Sequence, residues 1–309
     1  MRNILITGAA GFIPSSLADA LIADKNNNVV GVDNFLTGKK ANLPEAANFK
    51  FIKGDVNSFE DISAVMLSYR FDYVFHYAAV VGVKRTLENP LLVLSDIKGI
   101  ENILHLCKNT AVKRIYFSSS SEVYGEPVEI PQNEHTTPLN SKLPYAIVKN
   151  VAEAFIKSYY QEHGLNYTIF RFFNTYGPKQ STDFVLSKFI RSALNNQDIT
   201  IYGDGMQTRT FCYIDDNVDA TIQTLSNDSS INTVINIGSD MEITILDLAK
   251  RVIALTKSSS QITHLPPLKE GDMNRRCPDN SKMRQLLNRD LLPLDEGISK
   301  TIQAFKKNN

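Results

Sequence analysis

Tyr145 and Lys149 stand four residues apart, the spacing that brings two side chains to one face of a helix. An ammonium held beside a phenol favours the ionised phenol and lowers its pKa. A phenol tuned in this way can take the proton of an alcohol while a hydride leaves the same carbon. Tyr-x-x-x-Lys alone is common in ordinary helices. Here Ser120 precedes Tyr145 by 25 residues and a glycine-bearing turn opens the chain, and the combination is specific.

That turn is Ile4-Leu5-Ile6-Thr7-Gly8-Ala9-Ala10-Gly11-Phe12-Ile13-Pro14, a short apolar strand running into a helix. Gly8 and Gly11 allow a tight turn and close backbone approach to a pyrophosphate. The helix N-terminus, at Phe12 and Ile13, then faces the anion with unpaired N–H groups. Pro14 stands where a third glycine is usual, and is tolerated because its absent N–H would have had no partner. Asp33, followed by Asn34, ends the second strand; an acid there suits the ribose hydroxyls of NAD and repels the extra phosphate of NADP. Thr37, Lys39 and Lys40 weaken that preference. Asp55 and Val56, after the third strand, would flank the adenine, and Ala78-Ala79, after the fourth, would let the cofactor pass. Each segment also has a plainer reading, as a strand–turn–helix without ligand or as carboxylates capping loops.

Ser118-Ser119-Ser120-Ser121-Glu122 follows a strand. Hydroxyls at a strand's carboxyl end point into the crevice where open α/β folds bind ligands. Ser120 could hydrogen-bond the reacting oxygen beside Tyr145, and Glu122 could act as a general acid or base. Without Tyr145 and Lys149 the segment would read as a serine-rich turn. His76 reads as a core histidine. Lys84 and Arg85 lie on a loop that could cover a sugar.

The elements that must position these residues are strands near 3–7, 29–32, 49–53, 73–77, 114–118 and 166–172, with helices over 12–24, 89–109 and 144–162. Strands alternating with helices predict an α/β fold, a Rossmann-type doubly wound parallel sheet. Residues 1–175 would form the dinucleotide-binding domain and carry the catalytic residues. Residues 176–309, with helices near 213–225, 246–255 and 298–306, would form a smaller C-terminal substrate-binding domain with segments returning to the first.

Of 309 residues, 43% are hydrophobic and 21% charged, and Lys plus Arg equals Asp plus Glu at 33. Zero net charge argues against a broad nucleic-acid or membrane surface. Cys107, Cys212 and Cys277 form no Cys-x-x-Cys pair and no disulfide framework, and no metal site is expected. The start lacks a signal peptide and no stretch is long enough to span a membrane, so the expected location is the cytoplasm.

Taken together, the chain resembles the extended short-chain dehydrogenases/reductases that act on nucleotide sugars, the epimerase, dehydratase and decarboxylase family. The likeness rests on Gly8–Gly11, Asp33, Asp55, Ala78-Ala79, Ser120–Gly125, Tyr145/Lys149, Arg171–Pro178, Gly203–Arg209 and Tyr213–Asp216. The resemblance implies a tightly bound NAD. Tyr145 would be the base for hydride transfer from a sugar, usually at C4; Lys149 would tune it and hold the nicotinamide ribose; Ser120 would orient the substrate hydroxyl. Asn174, Arg209 and one of Arg275/Arg276 would contact the nucleotide diphosphate or its ribose, with Lys84, Ser121, Val185 and Tyr202 completing the substrate site. Arginine suits phosphate because its planar fork bonds two oxygens.

The 4,6-dehydratases carry Asp then Glu after the catalytic Ser/Thr, whereas this chain has Ser121-Glu122 and so lacks one acid. That pair, Asp33–Gly38 and Arg275–Asp279 resemble the nucleotide-glucuronate decarboxylases. A GDP-heptose 4-dehydrogenase would share the same frame, and a 4-epimerase most of it. The family also implies a homodimer through a four-helix interface and a role in supplying surface polysaccharide. A non-catalytic dinucleotide sensor, the reading from another class, would be expected to lose Tyr145 or Lys149.

Overall fold

The apolar run near the start becomes β1 (Arg2–Thr7), where Ile4, Leu5 and Ile6 are wholly buried. A strand covered on both faces needs a continuous apolar run rather than alternation. The computed structural model describes residues 1–267 and 275–307, with every side chain among them except those of Val83 and Lys84. It continues with α1 (Phe12–Ala23), β2 (Asn27–Asp33), β3 (Phe49–Lys53), α2 (Phe59–Ser68), β4 (Tyr73–His76) and α3 (Val83–Glu88). Then come α4 (Pro90–Leu94), α5 (Asp96–Asn109), β5 (Arg114–Ser120), α6 (Pro144–His163) and β6 (Asn166–Phe172).

These strands and Thr233–Ile237 form one seven-stranded sheet, ordered Thr233–Ile237, β6, β5, β4, β1, β2, β3. The pairs β1–β2, β1–β4, β2–β3 and β4–β5 are parallel. Strand order reverses between β1 and β4, the switch point outside which such sheets bind ligands. The expected Rossmann-type sheet is therefore present.

The chain divides into two compact units, one of 1–123, 141–171 and 221–235, the other of 124–140, 172–220 and 236–309. In the first, Leu5, Val32, Val74, Ile115 and Phe117 from the sheet pack with Ile62, Ile103, Leu104, Val148, Ala152 and Ile156 from the helices. Burying each large aliphatic side chain contributes about 1.5–3 kcal/mol. Helix α6 starts on Pro144 and ends at Gly164, whose left-handed conformation (φ 70°) caps it. Val148, Ala152 and Ile156 face the core at four-residue spacing. Tyr145, Lys149 and Glu153 form the neighbouring stripe.

Three boundaries differ from expectation. The single helix over 89–109 is instead α4 and α5, which meet at Ser95; its hydroxyl bonds the Leu92 carbonyl at 2.6 Å, competing with the helical ladder. Residues 83–88 are helical rather than a covering loop. Strand β5 runs on through Ser120, so the serine segment is strand more than turn.

The second unit pairs short strands: Thr175–Tyr176 with Cys212–Tyr213, Thr208–Thr210 with Glu242–Thr244, and Ile199–Tyr202 with Ile262–Leu265. Because Tyr213 is in a strand, the helix expected from 213 begins at Ile214. The cysteines are free and buried. Among the described residues no helix is long and apolar enough to cross a membrane, and no cluster of His, Cys, Asp or Glu could hold a metal ion.

Candidate active site

Gly8 ends β1 at φ +72°, and a Cβ there would stand 2.8 Å from the Ala78 Cα. Only glycine fits that conformation so close to another backbone. Thr7 Oγ1 ties the two strand ends together by accepting from the N–H groups of Tyr77 (3.1 Å) and Ala78 (3.2 Å). Its own proton is then directed to His76 Nδ1, 2.9 Å away, which places the histidine proton on Nε2. Burial, aided by nearby Lys149, pushes the His76 pKa down to about 3. His76 is therefore a neutral core histidine.

Gly11 N–H bonds the Gly8 carbonyl at 2.8 Å, and Pro14 has no N–H. The start of α1 thus offers the N–H groups of Phe12 and Ile13. A Cβ on Gly11 would come within 3.0 Å of Gly8 O and 3.2 Å of Pro14 Cγ, so the glycine makes room for the proline. This glycine-walled cradle with two donors at a helix N-terminus fits a pyrophosphate.

Asp33 is 8% exposed. Its Oδ2 accepts from Ala10 N at 3.0 Å and its Oδ1 from Phe35 N at 2.6 Å, while burial raises its pKa. The carboxylate braces the loop, and since a carboxylate offers roughly four acceptor sites it keeps capacity for ribose hydroxyls. Asp55 likewise accepts from Asn34 Nδ2 (3.1 Å) and Asn57 N (2.8 Å). The Val56 carbonyl is taken by Asn102 Nδ2 at 2.9 Å. Ala78 and Ala79 are half-buried just beyond β4.

Ser118, Ser119, Ser120 and Ser121 are all buried. Ser120 Oγ accepts from Glu122 N at 3.2 Å and faces the Tyr145 phenol. Lys149, 3% exposed, puts Nζ 3.5 Å from Ser118 Oγ, 4.8 Å from the Phe117 ring centre and 5.7 Å from that of Tyr145. The pair is thus assembled, and burial acts on both of its groups. Burial raises the Tyr145 pKa, with the charges of Glu122 and Asp96 adding to it, and the Ser120 hydroxyl opposes them. Burial also drops Lys149 to about 8, against the pull of Asp96. Desolvation thus acts on both groups of the pair.

Asp96 and Glu153 join the site without a motif role, as do Ser119 and Arg171, which stand within motifs but have no role of their own there. Asp96 opens α5, accepts from Val80 N at 2.7 Å and faces Lys149. The four-residue series Tyr145, Lys149, Glu153 was the available signal for Glu153. Arg85 donates to Val81 O at 2.7 Å from within α3. The side chain of Lys84 lies outside the described residues.

Within the second unit, Asn174 Nδ2 bonds Thr210 O at 2.9 Å and Arg209, 9% exposed, donates to Thr208 O at 2.8 Å. Val185 opens the helix Val185–Leu194, and Tyr202, 38% exposed, ends a strand. Arg275 spends its fork on Glu242, at 2.8 and 2.6 Å, and is exposed. Arg276 is 6% exposed.

Comparison with known proteins matches residues 4–238 to the NAD dependent epimerase/dehydratase family. The chain is 36% identical to UDP-glucuronic acid decarboxylase 1 of Danio rerio, over 99% of this chain and 73% of that protein. It is also 36% identical to the UDP-N-acetyl-alpha-D-glucosaminuronate decarboxylase of Bacillus cytotoxicus, over 99% and 98% of the two chains. Among solved structures it resembles UDP-glucuronic acid 4-epimerase from Bacillus cereus in complex with UDP-glucuronic acid and NAD. That match has TM-score 0.91 and 30% identity and covers both chains in full.

Proposed function

The chain belongs to the NAD-dependent epimerase/dehydratase family, with NAD as its cofactor, and on that premise we propose that it oxidises a nucleotide-diphosphate sugar at C4 through Tyr145. The observation that carries this reading is the seam in which Ser120, Tyr145 and Lys149 meet at the carboxyl end of β5. NAD, when bound, would supply the acceptor for the C4 hydride and a positive nicotinamide ring. Gly8, Gly11, Phe12 and Ile13 would hold its pyrophosphate, Asp33 and Asn34 its ribose, Asp55 and Val56 its adenine, with Ala78 and Ala79 leaving room beside it.

Tyr145 Oη takes the C4 hydroxyl proton, the C4–H bond breaks and a C4 ketone results. Ser120 Oγ already accepts from Glu122 N, so its own proton points to the phenol or the sugar oxygen. Lys149, 5.7 Å from the Tyr145 ring centre, would favour the ionised form of the phenol. In the second unit, Asn174, Arg209 and Arg276 would take the diphosphate and its ribose, with Val185 and Tyr202 in the same role.

A second reading concerns the fate of the ketone. The two decarboxylase relatives and the Ser121-Glu122 pair favour a uronic acid sugar. A ketone at C4 lets the C5 carboxylate leave as carbon dioxide, with its bonding electrons moving toward C4. Protonation at C5 and hydride return to C4 then complete a redox-neutral cycle. Release of the 4-keto sugar, or its reduction from the other face, are the competing outcomes. Incubation with UDP-, GDP- and dTDP-sugars, read by mass and NMR, separates loss of carbon dioxide, loss of two hydrogens and no mass change. Recovery of every sugar unchanged, without nicotinamide reduction, would sink the function.

The homodimer is part of the same proposal. Leu91 on α4 is 80% exposed, and Leu87, Ile147 and Tyr160 are exposed on α3 and α6. Pairing of these faces between two copies predicts a dimer by light scattering that Leu91→Glu converts to monomer.

A further inference from the structure

Three consecutive residues of β5 each take one partner from a single stripe of α6. Ser118 meets Lys149 at 3.5 Å, Ser119 donates to Glu153 Oε1 at 2.6 Å, and Ser120 faces Tyr145. The two outer contacts belong to the chemistry and the middle one does not. It is nonetheless the most strongly built. Glu153 is 1% exposed and Arg171, on β6, is 2% exposed. Arg171 Nε donates to Glu153 Oε1 at 3.0 Å and its Nη2 to Oε2 at 2.7 Å. Lys157 lies at the rim, 3.7 Å from Oε2. A carboxylate stripped of water is costly unless a fork and a further donor satisfy it, and geometry that satisfies it tolerates little sliding.

We propose that Glu153, held by Ser119 and Arg171, is a positioning residue that locks the register of α6 against β5 and so aims the Tyr145 phenol at Ser120. The proposal rests on Tyr145 being the base of the reaction. Lys149 is too loosely held at 3.5 Å to set that register, and the phenol and Ser120 face each other through a single pair of hydroxyls. Rate depends steeply on such alignment, since a displacement of about 1 Å can cost 10²-fold.

The test uses NAD-loaded protein labelled with ¹³Cζ-tyrosine, with the Tyr145 resonance identified by its loss in Tyr145→Phe. Ser120→Ala, which removes the phenol's partner, calibrates the shift. Ser119→Ala leaves all charges in place, including Glu122, Asp96 and Lys149 around the phenol. Glu153→Leu/Arg171→Met removes one charge of each sign and can keep the fold stable. Both variants are expected to move the Tyr145 resonance toward its Ser120→Ala position. Turnover of UDP-glucuronic acid should fall about tenfold or more in kcat with KM kept. Resonances that coincide with wild type in Ser119→Ala, or in a double variant that melts at the wild-type temperature, would overturn the proposal. An active Tyr145→Phe would remove the base assignment instead, a separate failure, because the resonance reads register without any sugar.

Discussion

The cofactor turn and the β5–α6 seam sit at the same edge of one sheet but are built by opposite means. At the turn the decisive groups are backbone: Gly8 next to Ala78, Gly11 next to Pro14, and the N–H groups of Phe12 and Ile13. At the seam they are side chains, Ser118–Ser120 against Lys149, Glu153 and Tyr145, and most are buried. A backbone site has its shape fixed by sterics and its donors fixed by the helix end. A side-chain site owes its charge state to burial, which residue types alone do not disclose. The contrast yields predictions of decreasing size.

The largest effects belong to the seam. Lys149→Met should lower turnover by about 10²–10⁴-fold, the usual range for a proton-transfer group, while NAD content in the purified protein changes less. The same variant tests the charge state through stability. Lys149 has its pKa lowered from 10.5 to about 8, so between those values the unfolded chain binds more protons and stability rises with pH. Below about pH 8 both states are protonated and the folded chain carries the whole penalty, on the order of 3 kcal/mol. Urea unfolding at pH 7, 9 and 10 should find wild type gaining on Lys149→Met as pH rises. A flat difference would show that Lys149 is not desolvated.

At the turn, Gly8→Ala should cost about 1–3 kcal/mol through its positive φ and abolish NAD retention, seen as lost cofactor absorbance. Retained cofactor would break the claim that the backbone makes this site. The smallest effects lie in the second unit. Arg275 is exposed in its pair with Glu242, so Arg275→Ala should leave the urea-unfolding midpoint nearly unchanged. Arg276→Ala should raise KM for the sugar nucleotide more than Arg275→Ala does, and equal effects would remove that distinction.

This contrast also explains what could be read before the fold was seen. The glycine spacing, the apolar strands and the Tyr145/Lys149 helix were legible because each is a local consequence of residue type. Ser95 was not legible as a break, since a serine hydroxyl turns against the ladder only where its geometry allows. The direction of the Tyr145 pKa is not legible in the spacing, which reports proximity and not desolvation. Glu153 was visible as the next position in the stripe, but its partners Ser119 and Arg171 come from two other strands. Asp33 follows its plainer reading, since it braces the loop by accepting from Ala10 N and Phe35 N.

The most direct test of the central claim mixes NAD-loaded protein with UDP-glucuronic acid, UDP-glucose and a GDP-sugar panel and follows nicotinamide reduction at 340 nm in wild type and Tyr145→Phe. With the sugar that reacts, deuterium at C4 should slow the wild-type transient, and Tyr145→Phe should slow it at least about 10²-fold. A Tyr145→Phe transient equal to wild type, or an isotope effect at a carbon other than C4, would contradict the account.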